Sequence, residues 1–426
     1  MRTPDGSKGP AAALFLAALL LRLAAIASID PILGMNAQLA FLGGAQRLVS
    51  GNGFGDPSYP ILTAPLYAVF IAIGLELFGD GQLPIKLAQA VADSLTVVLL
   101  YFICRRLFEE RIARVAAALA AAYPFSIYAA ASIGDETFFT LFLAGFVLLG
   151  LHAIESGRWW LHCAAGALLA LATLVRASVQ YYPAFWLLTL CVLCGLNRRT
   201  LARFAAFCAC FVLLIAPWAI RNYLILGEFI PVAINGGLPA LGGAAEEFFT
   251  IPGRNERLRD YYGQIEARGI KTPDRGATAS EWERFYRRAA IERYKIRFET
   301  DAWSFPGFLL KKFARLWYGT ESGSNQLPIL LINAFVYPFC LVGIWSCVRR
   351  RETKALVLLM PVVYLVMLHW ITFIMFRYMV PVMPYLLAFA AVAIVASIDR
   401  FAGSSPLAAR LGLASSHQGR GGVSRS

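Results

Sequence analysis

The residues best suited to chemistry in this 426-residue chain are Asp135 and Glu136, two carboxylates adjacent in sequence at the start of an apolar run. Neighbouring carboxylates repel, which lifts the pKa of one toward a value useful for taking a proton. The same pair also suits a helix N-terminus, where Asp as N-cap and Glu in the first turn only stabilise the helix. Cations stand at the ends of other apolar runs: Lys86, Arg221 and Arg377. Each is able to hold an anionic oxygen, Arg through a two-pronged fork and Lys as a point charge, or simply to snorkel to a membrane surface. Arg22 falls inside the first apolar run, which is costly unless its charge is paired. Asp93, in the second run, is a candidate partner, although its depth fits poorly.

The remaining ligand-type residues point to packing. The eight cysteines all fall inside apolar runs, where Cys acts as a small buried hydrophobe, and no disulfide framework is implied. Cys191 and Cys194 have a metal or redox spacing, but no second pair or His cluster accompanies them. Of the four His residues, only His369 approaches the half of its run that faces Asp135, and a satisfied packing role is favoured over a ligand.

The elements that must position these groups are set by composition. Apolar residues make up 58% of the chain and charged residues 15%, against about 45–50% and about 25% in soluble domains. Mean hydropathy is +0.61. Such a chain has too little polar surface to clothe a globule in water, so the apolar excess faces lipid. The 39 Lys and Arg against 26 Asp and Glu give a net charge of +13. That sum raises nucleic-acid binding for a soluble protein. Here the charges gather in short turns between apolar runs, and no nucleic-acid partner is expected.

Ten runs are long enough to cross a bilayer: 11–28, 84–104, 112–132, 137–155, 159–175, 178–196, 200–218, 328–348, 355–376 and 378–397. An eleventh, 60–78, decides the sidedness of everything after it. If it does not span, the clusters at 105–114, 198–203 and 349–354 all become cytoplasmic, as the positive-inside rule requires. Residues 60–78 are therefore read as a helix at the outer interface, broken by Pro60 and Pro65 and carrying Glu76. The expected architecture is an all-α integral membrane protein of about ten spans, multi-pass in the inner (plasma) membrane, with both termini cytoplasmic. The first run imitates a signal peptide but is read as an uncleaved span, because it is long and contains Arg22.

Four regions follow: a membrane module over 1–219 that includes the outer loop 29–83, an outer segment over 220–327, C-terminal spans over 328–398, and a basic cytoplasmic tail over 399–426, expected to be disordered. In the outer segment Ser280 is a plausible N-cap with Glu283 at N3, and Ala289, Ile291, Tyr294 and Phe298 continue an apolar stripe. Residues 308–318 alternate Leu309, Leu310, Phe313, Leu316 and Trp317 with Lys311, Lys312 and Arg315. That pattern suits a basic amphipathic helix on an outer leaflet or a packed surface helix.

The order of short motifs along this frame has a recognisable likeness. Phe41-x3-Ala45-x2-Leu48-x2-Gly51-x-Gly53-Phe54, Pro65-Leu66-Tyr67, the run Tyr123-Pro124-Phe125-Ser126-Ile127-Tyr128 and the turn Gly134-Asp135-Glu136-Thr137 come first. Ala216-Pro217-Trp218-Ala219-Ile220-Arg221-Asn222-Tyr223, Asn235-Gly236-Gly237 and Arg377-Tyr378-x2-Pro381-x2-Pro384 follow. Together they resemble the GT-C fold of membrane glycosyltransferases that take sugar from a polyprenyl-phosphate carrier, in particular the protein O-mannosyltransferase and aminoarabinose-transferase branch.

The resemblance implies inverting transfer at the outer leaflet to a lipid, glycan or protein acceptor. Such a reaction needs charge neutralisation at the departing phosphate, positioning of the sugar and proton removal from the acceptor. Phosphate would then fall to Arg377, Arg221 and Lys86, with Asn222 and Tyr378 beside them in the matched motifs. Lys86 stands where the family usually carries Arg. Glu136 occupies the place of a family acidic residue, and by analogy it and Asp135 hold a divalent cation against the donor phosphate. One departure matters: the acidic residue that usually opens the first outer loop is replaced by Ala37, between Asn36 and Gln38, none of which takes a proton at neutral pH. Asp30 and Asp56 are reserve carboxylates. Two other classes compete with the enzyme: a flippase or transporter of lipid-linked sugars, which would favour internal repeats not found here, and a non-catalytic carrier-binding protein, favoured by Ala37.

Overall fold

A computed structural model describes residues 8–29, 35–54, 63–234, 236–244, 263–274, 276–320 and 325–404, with side chains left aside at 35–40 and 402–404. Asp30 and Asp56 lie outside the described residues, as do the tail beyond 404 and the side chains at Ala37 and its neighbours. The described residues form helices and turns without a strand, and the fold is all-α. In chain order they are α1 (Lys8–Ser28), α2 (Met35–Val49), α3 (Pro65–Phe78), α4 (Leu83–Leu107), α5 (Glu110–Ala121), α6 (Pro124–Ala131), α7 (Glu136–Ser156) and α8 (Trp159–Val175). Next come α9 (Tyr182–Cys194), α10 (Arg198–Leu226), α11 (Gly237–Ala244), α12 (Ala279–Thr300), α13 (Ser304–Arg315), α14 (Gln326–Arg349), α15 (Leu356–Ile371) and α16 (Met383–Ser404).

Among the described residues seven helices are long and apolar enough to cross a membrane, or eight if a bent pair counts as one span. The bent pair is α5 with α6, which meet at 49° where the sequence suggested one straight span. Pro124 explains the break: it has no N–H to give the preceding turn, and its ring favours the first position of a new helix. The apolar helices α8 and α9 are shorter, at 17 and 13 residues. The run expected to begin at 178 starts instead with a single tight turn, Ala177–Val179, and Pro183 then opens α9. Helix α3 has 14 residues, about 21 Å of rise against the roughly 30 Å of a hydrocarbon core.

Large apolar side chains point outward from the candidate spans, for example Leu213, Leu224 and Phe335, each more than 70% exposed. Bundle contacts instead use small residues. Helix α8 packs on α7 and α10, and a Cβ at Gly166 would stand 2.2 Å from the carbonyl oxygen of Phe207 on α10. Gly343 gives α14 the same close approach to Phe389 of α16, at 1.9 Å.

Three details of the outer segment differ from expectation. Helix α12 is capped by Thr278 with Glu281 in a reciprocal capping box, two residues before the Ser280–Glu283 pair. Glu283 accepts instead from the Gly237 backbone N–H at 2.9 Å and from Arg287 at 2.8 Å. The buried stripe of α12 is Phe285, Ala289 and Ala290, while Ile291 and Phe298 are exposed. Helix α13 buries Lys312 and Arg315 and leaves Lys311 exposed. Lys312 is fully buried, with Nζ 2.5 Å from Tyr294 Oη and 3.2 Å from the Ile371 carbonyl, while Leu310 is 68% exposed. The Tyr294 hydroxyl of α12 and the Ile371 carbonyl at the end of α15 draw the ammonium inward, leaving Leu310 outside.

Candidate active site

Helices α7 and α8 form an antiparallel hairpin, so the first residue of α7 and the residue after α8 share one end of the bundle. Asp135 and Glu136 open α7, and Arg176 follows α8. Arg377 reaches the same place from the single turn Phe376–Tyr378 that precedes α16.

Asp135 occupies the N-cap of α7 but makes no capping hydrogen bond with its side chain. Its carboxylate turns to Arg176, which donates from Nε to Oδ2 at 3.0 Å and from Nη2 to Oδ1. Arg176 Nη2 also reaches Glu136 Oε1 at 2.8 Å. Arg377 donates from Nε to the same Glu136 oxygen at 2.8 Å, with its Nη2 at 2.7 Å from that atom and 3.9 Å from Asp135 Oδ1. Two carboxylates thus meet two guanidiniums, and the repulsion expected between adjacent acids is offset by cations. Burial works against the Arg176 charge, yet Asp135 and Glu136 hold its pKa above the ordinary guanidinium value.

The cluster is braced from several helices. Tyr364 of α15 donates to the Ser178 carbonyl at 2.6 Å, fixing the turn after Arg176. The Phe376 N–H donates to the Gly319 carbonyl at 2.8 Å, fixing the turn that carries Arg377. Tyr378 lies under both cations, its ring centroid 5.5 Å from Arg176 Cζ and 5.8 Å from Arg377 Cζ, and stacks on His369 at 4.5 Å. Glu136 Oε2, Thr137 Oγ1 and both ring nitrogens of His369 are buried without a hydrogen-bond partner among the described residues. Orphaned polar atoms are costly in a membrane bundle and mark a place where a polar ligand or water satisfies them.

Arg221 and Asn222 form a second group. Arg221 donates to Asn222 Oδ1 at 3.1 Å and to the Phe54 carbonyl at 3.0 Å, and its guanidinium lies 4.8 Å from the Trp218 ring. Asn222 donates to the Ile230 carbonyl at 2.9 Å, and Trp218 to the Val232 carbonyl at 2.7 Å. These contacts clasp the end of α10 to residues 230–232 and to Phe54. The clasped residues 230–232 line an open groove of about 1030 Å³, together with Tyr181, Phe211, Ile215, Ile220, Arg284 and Arg287. The groove begins a few residues beyond Arg176, at Gln180 and Tyr181. Lys86 stands half-buried in the first turn of α4.

The structure therefore unites Asp135, Glu136, Arg377 and Tyr378, places Arg221 and Asn222 in a separate group that holds part of the groove lining without lining it, and adds Arg176, which is not among the residues singled out from the sequence. Its signal was present: with two consecutive antiparallel helices, the residue after the second must face the residues before the first. A divalent ion does not fit this donor set. Both carboxylates already hold guanidiniums, and among the described residues no group of three His, Cys, Asp or Glu side chains could bind a metal.

Comparison with known proteins agrees with this architecture. Residues 62–220 match the family model described as dolichyl-phosphate-mannose-protein mannosyltransferase. A comparison with curated proteins returned no match. The Archaeoglobus fulgidus oligosaccharyltransferase in its apo form superposes with a TM-score of 0.59 at 16% identity, over 97% of this chain and 52% of that one. The same archaeal enzyme, AglB, in complex with an inhibitory peptide and a dolichol-phosphate, superposes with a TM-score of 0.54 at 14% identity, over 96% and 52%. ArnT from Cupriavidus metallidurans is more distant, with a TM-score of 0.43 at 16% identity over 92% and 79%. The chain has the GT-C fold of membrane glycosyltransferases, and it spans about half the length of the oligosaccharyltransferase it matches.

Proposed function

We propose that this protein is an integral membrane glycosyltransferase that moves a sugar from a polyprenyl-phosphate carrier to a lipid, glycan or protein acceptor, with inversion, at the outer face of the plasma membrane. The observation that carries the reading is the convergence of Arg176 and Arg377 on Glu136 Oε1, a few residues from an apolar groove. Support comes also from the mannosyltransferase family match and from the dolichol-phosphate held by a protein of the same fold.

In this reading the groove seats the isoprenoid chain and the paired guanidiniums meet the phosphate. As the bond from the anomeric carbon to the phosphate oxygen breaks, negative charge grows on that oxygen, and cations already fixed in place stabilise it without reorganising. Glu136 Oε2, the oxygen left without a partner, takes the proton of the attacking hydroxyl or amine. That role supplies the base that Ala37 cannot. Arg221 and Asn222 shape the groove wall, and Lys86 is a further phosphate contact. Both termini lie in the cytoplasm.

The test is incubation of purified protein with a radiolabelled polyprenyl-phosphate sugar and a panel of acceptors. Transfer that is lost in Arg377→Ala and in Glu136→Gln supports both reaction and site. Unchanged transfer in both variants discards the site, and absence of transfer with every donor discards the reaction.

A further inference from the structure

Helix α6 is only 8 residues long, and it delivers Asp135 and Glu136 to the cluster through the turn at 132–134. Its C-terminal end, and the end of α5 that leads into it, are held by side chains buried within the bundle. At the α5 side, the break leaves carbonyls that no continuing helix can satisfy. Arg22 of α1, fully buried, donates from Nη1 to the Ala121 carbonyl at 2.6 Å and from Nη2 to the Ala120 carbonyl at 3.4 Å. Its charge is met by Asp93 of α4, with Nε 2.7 Å from Oδ2. At the other end, Gln89 of α4 donates from Nε2 to the Ala130 carbonyl at 3.1 Å and to the Ser132 carbonyl at 2.5 Å. The Gln89 side-chain oxygen accepts from Tyr67 Oη of α3 at 2.5 Å. Gln89 and Asp93 are one helical turn apart on one face of α4, and both are buried.

We propose that Gln89 and the Arg22–Asp93 pair are positioning residues for the charge cluster: Gln89 fixes the C-terminal end of α6, Arg22, held by Asp93, fixes the end of α5 that leads into it, and together they set the placement of Asp135 and Glu136 against Arg176 and Arg377. Their relevance to turnover rests on the glycosyltransferase reading. Their effect on α6 does not. None of the three touches the cluster directly, yet each satisfies a backbone carbonyl or a partner that does, in a region where an unsatisfied carbonyl costs more than in water. A site built this way has its precision set by the helix that carries the carboxylates rather than by the carboxylates alone.

The experiment uses the full-length protein in detergent or nanodiscs, with two readouts. Gln89→Glu keeps the acceptor for Tyr67 but cannot, when ionised, donate to Ala130 and Ser132. Arg22→Lys keeps a charge for Asp93 but loses the fork that spans Asp93 and the α5 carbonyls. Hydrogen exchange of peptides covering 130–136 reads placement directly, and each variant is expected to speed exchange there by ~10-fold while peptides in α8 and α10 stay protected. In the transfer assay kcat is expected to fall by ~10- to 100-fold with KM for the carrier little changed, because a misplacement of about 1 Å at reacting groups has that effect. Tyr67→Phe leaves the two Gln89 donations intact but also removes a hydroxyl beside the Gly134 backbone, so it should speed exchange at 130–136 and lower kcat by less than Gln89→Glu. Exchange at 130–136 that matches wild type in both Gln89→Glu and Arg22→Lys overturns the proposal. So does a uniform loss of protection across the bundle in Gln89→Glu, Arg22→Lys and Tyr67→Phe alike, which would make these residues general packing elements. If the wild-type protein transfers no sugar, the exchange measurement still decides the positioning, so the two failures separate.

Discussion

Arg176 and Arg377 donate to one atom, Glu136 Oε1, at 2.8 Å each. One comes from the end of the α7–α8 hairpin and the other from the turn before α16, so Glu136 ties the two halves of the chain at the mouth of the bundle. Glu136→Gln leaves two buried guanidiniums facing Asp135 alone. Breaking such a pair from one side costs about 3–5 kcal/mol, and unfolding followed by circular dichroism in detergent should show a clear drop in midpoint together with loss of transfer. A midpoint equal to that of wild type would mean that the pairing contributes nothing net.

The two arginine groups should separate kinetically. Arg377→Ala removes a cation at the cluster and is expected to lower kcat by ~100-fold or more. Arg221→Ala frees the Phe54 carbonyl and the Oδ1 of Asn222, the residue that holds Ile230 in the groove lining, so it should raise KM for the carrier several-fold with kcat largely kept. Steady-state kinetics with a short-chain and a long-chain carrier checks this, and the Arg221 effect should be larger for the long chain.

Gly166 predicts a packing limit. A Cβ there would stand 2.2 Å from the carbonyl oxygen of Phe207, a backbone atom that cannot swing away. Gly166→Ala should therefore force α8 and α10 apart and destabilise by about 1–3 kcal/mol, measurable as a lower thermal midpoint.

Glu281 predicts a pH response outside the membrane. Hydrogen bonds from the Thr278 backbone and hydroxyl depress its carboxyl pKa below the ordinary value. A carboxyl depressed in the folded state contributes stability that is full above its unfolded pKa and is lost as pH falls through the lowered folded value. Protection of the first turn of α12, measured against the intrinsic exchange rate at each pH, should thus be full at neutral pH and fall in acid, and Glu281→Gln should be weakly protected throughout.

Sidedness predicts a labelling pattern. In a variant with the eight native cysteines replaced, a Cys at Arg199 should resist a membrane-impermeant maleimide applied from outside, and a Cys at Lys311 should react. The reverse pattern would put the charge cluster on the cytoplasmic side.

Class and membrane character were written in the runs of apolar residues, because burying unpaired backbone in lipid permits little besides helices. The pairing of carboxylates with cations was harder to read. Arg22 and Asp93 differ in depth by about one turn, ~6 Å, which a long guanidinium stem bridges, so counting depth along the helices undervalued a bond that forms. By residue type Arg176 is a lone cation in a short turn; only its place at the far end of the α7–α8 hairpin brings it to the carboxylates. The α5–α6 break was visible at Pro124, but the run around it is apolar throughout, and hydropathy carries no record of direction. On α13 the alternation of Leu and Lys gave the helix but not which side faces in, since that depends on the carbonyl oxygen at Ile371, far along the chain.

The four buried charges of the cluster sum to zero, and their field dies away within a short distance of the bundle. An incoming phospholipid would feel little pull until it touches. On the proposed reading, capture of a polyprenyl phosphate then depends on sliding sideways through the leaflet into the apolar groove beside α10, and encounter rates should hardly change between dilute and concentrated salt.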